Sequence, residues 1–293
     1  MERVDRTRVR SYSTLVKLAY SSNAYMRFPV EEAIDRIASL GFAGVELMAD
    51  EPHLWPATTS LERMMTIRQR LSDRHLSVSN VNAFMMNAVQ DFWHPSWIEP
   101  DAAFRQLRVQ HTIDALEMAH HLGAPCITTE PGGPLPKGMT REQGMELFLG
   151  GLHEALEHAE HFDVQLLVEP EPGLLIENAD QFLELAERIS SPMFGLNFDV
   201  GHFYCVGDPV AETVERLQHL AGHYHFEDIA ATRVHEHLIP GRGAIDFGGL
   251  TKAIRETGYQ GWLTVELYPY LDDPDGAGAE ALDYLKRLLP SYP

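Results

Sequence analysis

Cysteine is scarce. Cys126 and Cys205 are too few in 293 residues for a disulfide framework, and that scarcity fits a reducing compartment, the cytoplasm being the expectation. Long apolar runs are absent as well: none approaches the roughly 20 residues that span a bilayer. Residues 1–10 hold four arginines broken by Glu2 and Asp5, without the apolar stretch of a secretory signal. Residues 1–13 therefore read as a solvated tail on a single domain covering 1–293. Basic residues are outnumbered, 23 Lys and Arg against 43 Asp and Glu, a net charge of −20. Such a chain repels phosphate backbones and anionic lipid, which argues against nucleic-acid and membrane partners. The first strand also runs into Ser21-Ser22-Asn23-Ala24, with no glycine where a doubly wound nucleotide-binding sheet would need a Gly-rich turn.

What is present is repetition. Short, nearly continuous apolar runs at 15–20, 44–48, 76–82, 126–129, 165–169, 194–199, 223–226 and 262–267 read as strands covered on both faces. Helical stretches separate them, with starts at Pro29-Val30-Glu31-Glu32, Asn178-Ala179-Asp180 and Asp208-Pro209, and stops at Leu40-Gly41, Leu122-Gly123 and Thr257-Gly258. Eight strand–helix units at about 36 residues each predict an α/β fold, one (β/α)8 barrel. The longest irregular segments, 49–59, 83–100, 130–139, 229–244 and 268–278, all follow strands, on the side where barrels carry function.

The later strands end on ionisable residues: Val168-Glu169-Pro170-Glu171, Asn197-Phe198-Asp199, His223-Tyr224-His225 and Val265-Glu266. In a barrel those ends share one mouth, so Glu169, Asp199, His225 and Glu266 would face a common point. Three unpaired carboxylates there would repel strongly, and a divalent cation removes the conflict. Three oxygens and one imidazole suit Mn2+, Mg2+ or Co2+, with Zn2+ less typical. Taken singly, each position reads equally as a helix cap or salt-bridge partner. Glu171 competes with Glu169, and His223 with His225, because period-two alternation aims each pair alike.

These residues resemble the xylose-isomerase-like barrels of the sugar phosphate isomerase/epimerase superfamily, which includes ketose 3-epimerases, inosose isomerases and dehydratases, and endonuclease IV-type repair enzymes. The similarity is densest from 166 to 267. It is carried by Val168-Glu169-Pro170, Asp199-Val200-Gly201-His202, His225-Phe226-Glu227-Asp228, Pro240-Gly241-Arg242-Gly243 and Gly258-Tyr259-Gln260-Gly261-Trp262. The resemblance implies one divalent metal, Mn2+ first, on Glu169, Asp199, His225 and Glu266, with the two glutamates as acid/base pair and His202 on substrate oxygens. The implied reaction is isomerisation or epimerisation of a ketose, keto-sugar or keto-cyclitol through a metal-stabilised cis-enediolate. Dehydration of a keto-cyclitol, of the inosose or dehydroshikimate type, is the alternative, ahead of a non-catalytic sugar-binding barrel or a repair enzyme. The implied partner is a small sugar or cyclitol, and homo-oligomers are expected by analogy.

The pattern is broken after strand seven. Ala231 stands where ketose epimerases place an arginine, and His235-Glu236-His237 follows. In the endonuclease IV-type relatives an acid-x-His triplet in this loop holds a further zinc, so His237 is a candidate substrate contact, second-metal ligand or solvated side chain. The histidines that repair enzymes need after strands three and four are missing from Asn82-Ala83-Phe84 and Thr129-Glu130-Pro131. Glu130, Asn82 and Trp93 are further substrate-contact candidates, Trp93 with His94 and Trp97 as a wall over the sugar ring. Asn23, Tyr25, Trp55 and Tyr268 are weaker ones. Met85 and Met86 read as core or pocket lining, His111 and the other helix histidines as solvated, and Arg242 as structural rather than a phosphate clamp.

Overall fold

The computed structural model describes residues 16–84 and 92–289, so the expectations for residues 1–13, Leu15, Met85 and Met86 lie outside the described residues. Eight parallel strands close on themselves in sequence order: β1 (Lys17–Ser21), β2 (Gly44–Met48), β3 (Ser77–Asn82), β4 (Cys126–Thr129), β5 (Gln165–Val168), β6 (Phe194–Asp199), β7 (Ala221–Phe226) and β8 (Trp262–Val265). β8 returns to β1 through Leu18–Leu263 and Tyr20–Val265 pairing. This is the (β/α)8 barrel that the eightfold repeat predicts. Several strand ends differ by one or two residues: β1 and β3 begin later and β7 earlier than the apolar runs, β1 ends one residue later, and β5 and β8 stop one and two residues sooner. Glu169 and Glu266 thus sit just beyond their strands, although each backbone N–H still bonds the neighbouring strand, to Thr129 O and Phe226 O at 3.2 Å. Pro170 has no N–H to carry β5 further.

Among the described residues, α1 (Val30–Leu40), α2 (Leu61–Asp73), α3 (Ala102–Leu122), α4 (Arg141–Phe162), α5 (Ala179–Ala186), α6 (Val200–Val206), α7 (Val210–Leu217), α8 (Phe247–Thr257) and α9 (Pro274–Leu288) wrap the outside. Their ends follow the predicted punctuation. Asn178 Oδ1 accepts from Gln181 N at 3.0 Å to open α5, and Gly123, at φ +76°, ends α3 in the left-handed region. α9 starts inside the segment expected to be a loop, because Asp273 accepts from Gly276 N and Pro274 presets the first turn. Among the described residues, no helix is long and apolar enough to cross a membrane.

The helix layer buries two residues that the sequence reading assigns to exposed or pocket positions. His111 is 4% exposed and packs on Trp55, with ring centroids 4.9 Å apart. Trp97 is fully buried against Phe148 and donates Nε1–H to Thr129 Oγ1 at 3.0 Å. Both belong to the core between sheet and helices.

Burial, then the Arg108 charge, pushes the His111 pKa down to about 3. An unfolded chain would bind a proton at this ring near pH 6.5, the folded one only near 3. The stability held by neutral His111 is therefore complete above about pH 6.5 and is lost progressively as pH falls. Replacing His111 with Leu is expected to flatten the slope of unfolding free energy against pH, between about pH 6 and 4, by up to about 1.4 kcal/mol per unit. Denaturant titrations at several pH values check this, and parallel slopes for the two proteins would contradict it.

Candidate active site

The barrel interior is polar where most barrels are filled by branched apolar side chains. Glu46 from β2, Asn80 from β3, Thr128 from β4, Asn197 from β6 and His223 and His225 from β7 are all fully buried. Asn80 Nδ2 donates to Glu46 Oε2 at 2.8 Å and to Thr128 Oγ1 at 2.7 Å. This layer is a floor for the mouth above it.

Glu169, Asp199, His225 and Glu266 come together on that floor, each offering an atom within 4.8 Å of the others. Glu46 Oε2 lies 2.6 Å from His225 Nε2, so that nitrogen carries and donates a proton. In a neutral ring Nδ1 is then a lone pair, with the Asn197 Nδ2 amide 3.1 Å away able to donate to it. It faces Glu169 Oε1 at 3.1 Å, Glu266 Oε2 at 3.6 Å and Asp199 Oδ2 at 3.8 Å. One amide cannot offset three carboxylates, so the site favours added positive charge, either a second proton on the ring or a cation between the groups. Burial alone would lower the His225 pKa, but Glu46, Glu169 and Glu266 override it and raise it well above the ordinary value. Glu266 is raised well above the carboxylate range, first by burial and then by Glu169, Glu46 and Asp199, with His225 opposing. Glu46 moves the other way, to about 2, because His225 and His223 outweigh its burial.

Local structure fixes each member. Asp199 caps α6, its Oδ1 accepting from His202 N at 2.7 Å, while Oδ2 is buried with no donor. Asn197 Nδ2 donates to Glu169 Oε2, and Asn23 Nδ2 to Glu266 Oε1, both at 2.8 Å. His223 lies one layer below His225, with Glu46 Oε2 3.8 Å away, and outside the four-residue cluster. Glu171 is likewise apart. It faces His202 Nε2 at 2.9 Å and His235 Nδ1 at 3.2 Å, and these imidazoles hold it near pKa 2 against its burial.

A cavity of about 320 Å3 opens over the cluster. Glu169, Glu171, His202, His235, His237 and Glu266 make one side of it, and Asn23, Asn82, Trp93 and Tyr268 also line it. His237 is 2% exposed, so it is not a solvated loop residue. Its Nδ1 lies 3.1 Å from Glu266 O and its Nε2 3.0 Å from His235 Nε2. Glu130 does not line the cavity. It is fully buried beneath it, accepting from Trp97 N at 3.3 Å, 3.5 Å from Arg108 Nε, and burial lifts it to about 7 despite that guanidinium. Tyr25 and Trp55 also point elsewhere, the first to Asp275 and the second to His111. Arg242 pairs through two nitrogens with Glu280 at the surface.

Two residues in the mouth carry no earlier role. Glu46 has no signal in the sequence beyond a charge inside an apolar run, Gly44-Val45-Glu46-Leu47-Met48. Asp228 explains the Pro240-Gly241-Arg242-Gly243 motif: its carboxylate accepts from Gly241 N, Gly243 N, Ile229 N and Ile245 N at 2.8–3.1 Å. A Cβ at Gly243 would collide with that carboxylate and with Ile229 O. Asp228 and Leu238 also exchange two backbone bonds of 2.7 Å, closing the loop that bears His235 and His237.

A closed parallel barrel with acids and imidazoles gathered at the C-terminal ends of its strands is the architecture of a barrel enzyme. The chain belongs to the xylose isomerase-like TIM barrel family, whose model matches residues 34–288. It is 24% identical to fructoselysine 3-epimerase of Escherichia coli O157:H7 over 277 residues, covering 91% of this chain and 96% of that protein. It is 24% identical to inosose dehydratase of Lacticaseibacillus casei over 283 residues, covering 87% and 85%. A crystal structure of a D-tagatose 3-epimerase-like protein superposes with a TM-score of 0.81 at 23% identity, covering 94% of this chain and 97% of that one.

Removing the Asp228 carboxylate leaves buried N–H groups unpaired at the base of the histidine loop. Asp228→Ala is expected to cost about 1–3 kcal/mol, read by denaturant unfolding, with Asp228→Asn recovering part of it. A loss under about 0.5 kcal/mol would show that water replaces the cradle.

Proposed function

We propose that this chain is a divalent-metal-dependent isomerase or epimerase of a ketose, keto-sugar or keto-cyclitol. The supporting observation is His225 Nδ1 enclosed by three carboxylates, with the Asn197 amide as the one donor given to it among the described residues, and Asp199 Oδ2 buried among acids with the Glu227 carboxyl as its neighbour. That donor set, three oxygens and one nitrogen with the opposite ring nitrogen held by a carboxylate, fits a cation such as Mn2+, with Mg2+, Co2+ or Zn2+ as alternatives. Glu169, Asp199, His225 and Glu266 would hold it. When bound, the ion supplies the positive charge that makes a C–H beside a ketone acidic enough for a carboxylate to remove.

The remaining steps belong to the protein. Glu169 and Glu266 both reach the cavity wall from β5 and β8. One accepts the α-proton, the C–H electrons move into the carbon–carbon bond of the enediolate, and the other returns a proton. Return to the opposite face gives the epimer; return to the adjacent carbon gives the isomer. Asn197 and Asn23 orient the two carboxylates through their amide N–H groups. His202 and His237 line the cavity with their Nδ1 atoms on Pro170 O and Glu266 O, and a substrate oxygen would reach their Nε2 atoms by replacing the contacts these make with Glu171 and His235. Asn82 and Trp93 contact the substrate from the other side.

Elimination of a β-hydroxyl is the second reading, favoured by Glu171. With His202 and His235 it forms a polar group on the cavity wall outside the four-residue cluster, able to pass a proton to a departing hydroxyl. Formation of an enone chromophore marks this outcome, and deuterium uptake without loss of water marks the first.

Glu169→Gln and Glu266→Gln are each expected to slow exchange of substrate α-protons with D2O by about 10²–10⁴-fold while the circular dichroism stays native. Unchanged exchange in both would contradict the acid/base assignment. Glu46→Gln is expected to weaken Mn2+ binding by about 10–100-fold in calorimetric titration. Undiminished affinity would show that His225 is oriented without it.

A further inference from the structure

The cavity is divided by polarity. Its acids and imidazoles come from the ends of β5 to β8. The opposite wall is built from Met26, Met48, Phe84, Phe92, Trp93 and Leu271, on the segments after β1, β2, β3 and β8. Met48 and Phe84 are buried deep in this wall, while Phe92 is 46% exposed at the rim. Phe84, Trp93 and Phe92 meet edge to face, with centroids 6.2 and 5.6 Å apart. A row of aromatic rings therefore runs from buried Phe84 outward through Trp93 to Phe92 at the rim.

Polar help on this side is small and already in use. Asn82 Nδ2 lies 3.4 Å from both Glu46 Oε1 and Glu266 Oε1, its Oδ1 accepts from Phe84 N, and Asn23 Nδ2 is bonded to Glu266. A substrate that put hydroxyls against Met48 and Phe84 would leave them without partners, a cost that an apolar group avoids. The wall is also held in place. Arg108, fully buried, donates to Ala83 O, Phe84 O and Pro95 O at 2.7–3.2 Å, holding the backbone at Phe84 and just after Trp93. Among the described residues no lysine or arginine lines the cavity, and its imidazoles, His202, His235 and His237, lie on the acid side, so no cationic side chain on the apolar wall would neutralise a phosphate or carboxylate placed there.

We propose that the substrate is an uncharged keto-polyol carrying an apolar substituent, an alkyl or aryl group, which lies on the Met48–Phe84–Trp93–Phe92 wall while its keto-diol end faces the acid cluster. This rests on the isomerase or epimerase reading for the position of the reacting end. The substituent leaves by the Phe92 rim, where its outer part stays in contact with solvent.

Isothermal titration with phenyl β-D-glucopyranoside, methyl β-D-glucopyranoside and glucose 6-phosphate, with and without Mn2+, tests the proposal without any turnover. The phenyl glycoside is expected to bind about tenfold or more tightly than the methyl glycoside, with glucose 6-phosphate weakest. Phe92→Ala and Phe84→Ser should each narrow the phenyl-to-methyl ratio to about threefold or less. Equal binding of the two glycosides, tighter binding of the phosphate, or no binding of the phenyl glycoside at millimolar concentration would overturn it. So would a ratio unmoved by both variants. Failure here leaves the acid–base reading standing, since that reading is tested by proton exchange in the glutamate variants. Loss of the exchange reading would in turn leave the affinity ratio intact.

Discussion

One interaction organises the mouth of this barrel: the His225 ring is held between the Glu46 carboxylate on one nitrogen and, on the other, three carboxylates relieved only by the Asn197 amide. Its Nε2 proton is committed to Glu46, and its Nδ1 faces three carboxylates from three other strands. Four acids enclose one ring, and all five groups are nine-tenths buried or more. Water cannot screen them, so the positive charge must be local. Neighbouring features read as support for that arrangement. Asp199 spends one oxygen capping α6 and keeps the other free, and two asparagine amides turn the glutamates toward the same point.

The motifs around the mouth divide into those that reach the acid cluster and cavity and those that hold the frame. In Asp199-Val200-Gly201-His202 the acid and the histidine reach the cluster and cavity. Gly201 exists because Glu227 closes on its backbone, with Gly201 N donating to Glu227 Oε1 at 2.5 Å and no room for a Cβ. In Pro240-Gly241-Arg242-Gly243 nothing touches the cavity; the segment folds around the Asp228 carboxylate and so fixes the histidine loop. A glycine-rich turn with a central arginine looks like a phosphate clamp by composition, yet Arg242 is spent on Glu280.

Much of this was legible in the sequence. Eight apolar runs with capped helices between them specify a closed parallel barrel, and strand ends in such a barrel must converge, so a cluster of acids and imidazole follows from order, though not the choice of Glu169 over Glu171 or of His225 over His223. The physics that stayed hidden is of three kinds. Glu46 lies mid-strand, and period-two alternation cannot tell an inward acid within the barrel from an error in the strand assignment. Glu130 and His111 are polar residues whose burial depends on contacts from α3 and the segments after β2 and β3, distant in sequence. Glu171 and His235 pair across two loops, and only their folded positions separate Glu171 from Glu169 as members of different groups.

The most direct test of the central claim is anomalous diffraction from crystals grown with Mn2+, recorded above and below the manganese absorption edge. A single strong peak is expected among Glu169, Asp199, His225 and Glu266, at about 2.0–2.3 Å from one atom of each, with His225 Nε2 still on Glu46. Strong density only beside His202, His235 and His237, or no peak while a proton on His225 satisfies the three carboxylates, would contradict the account.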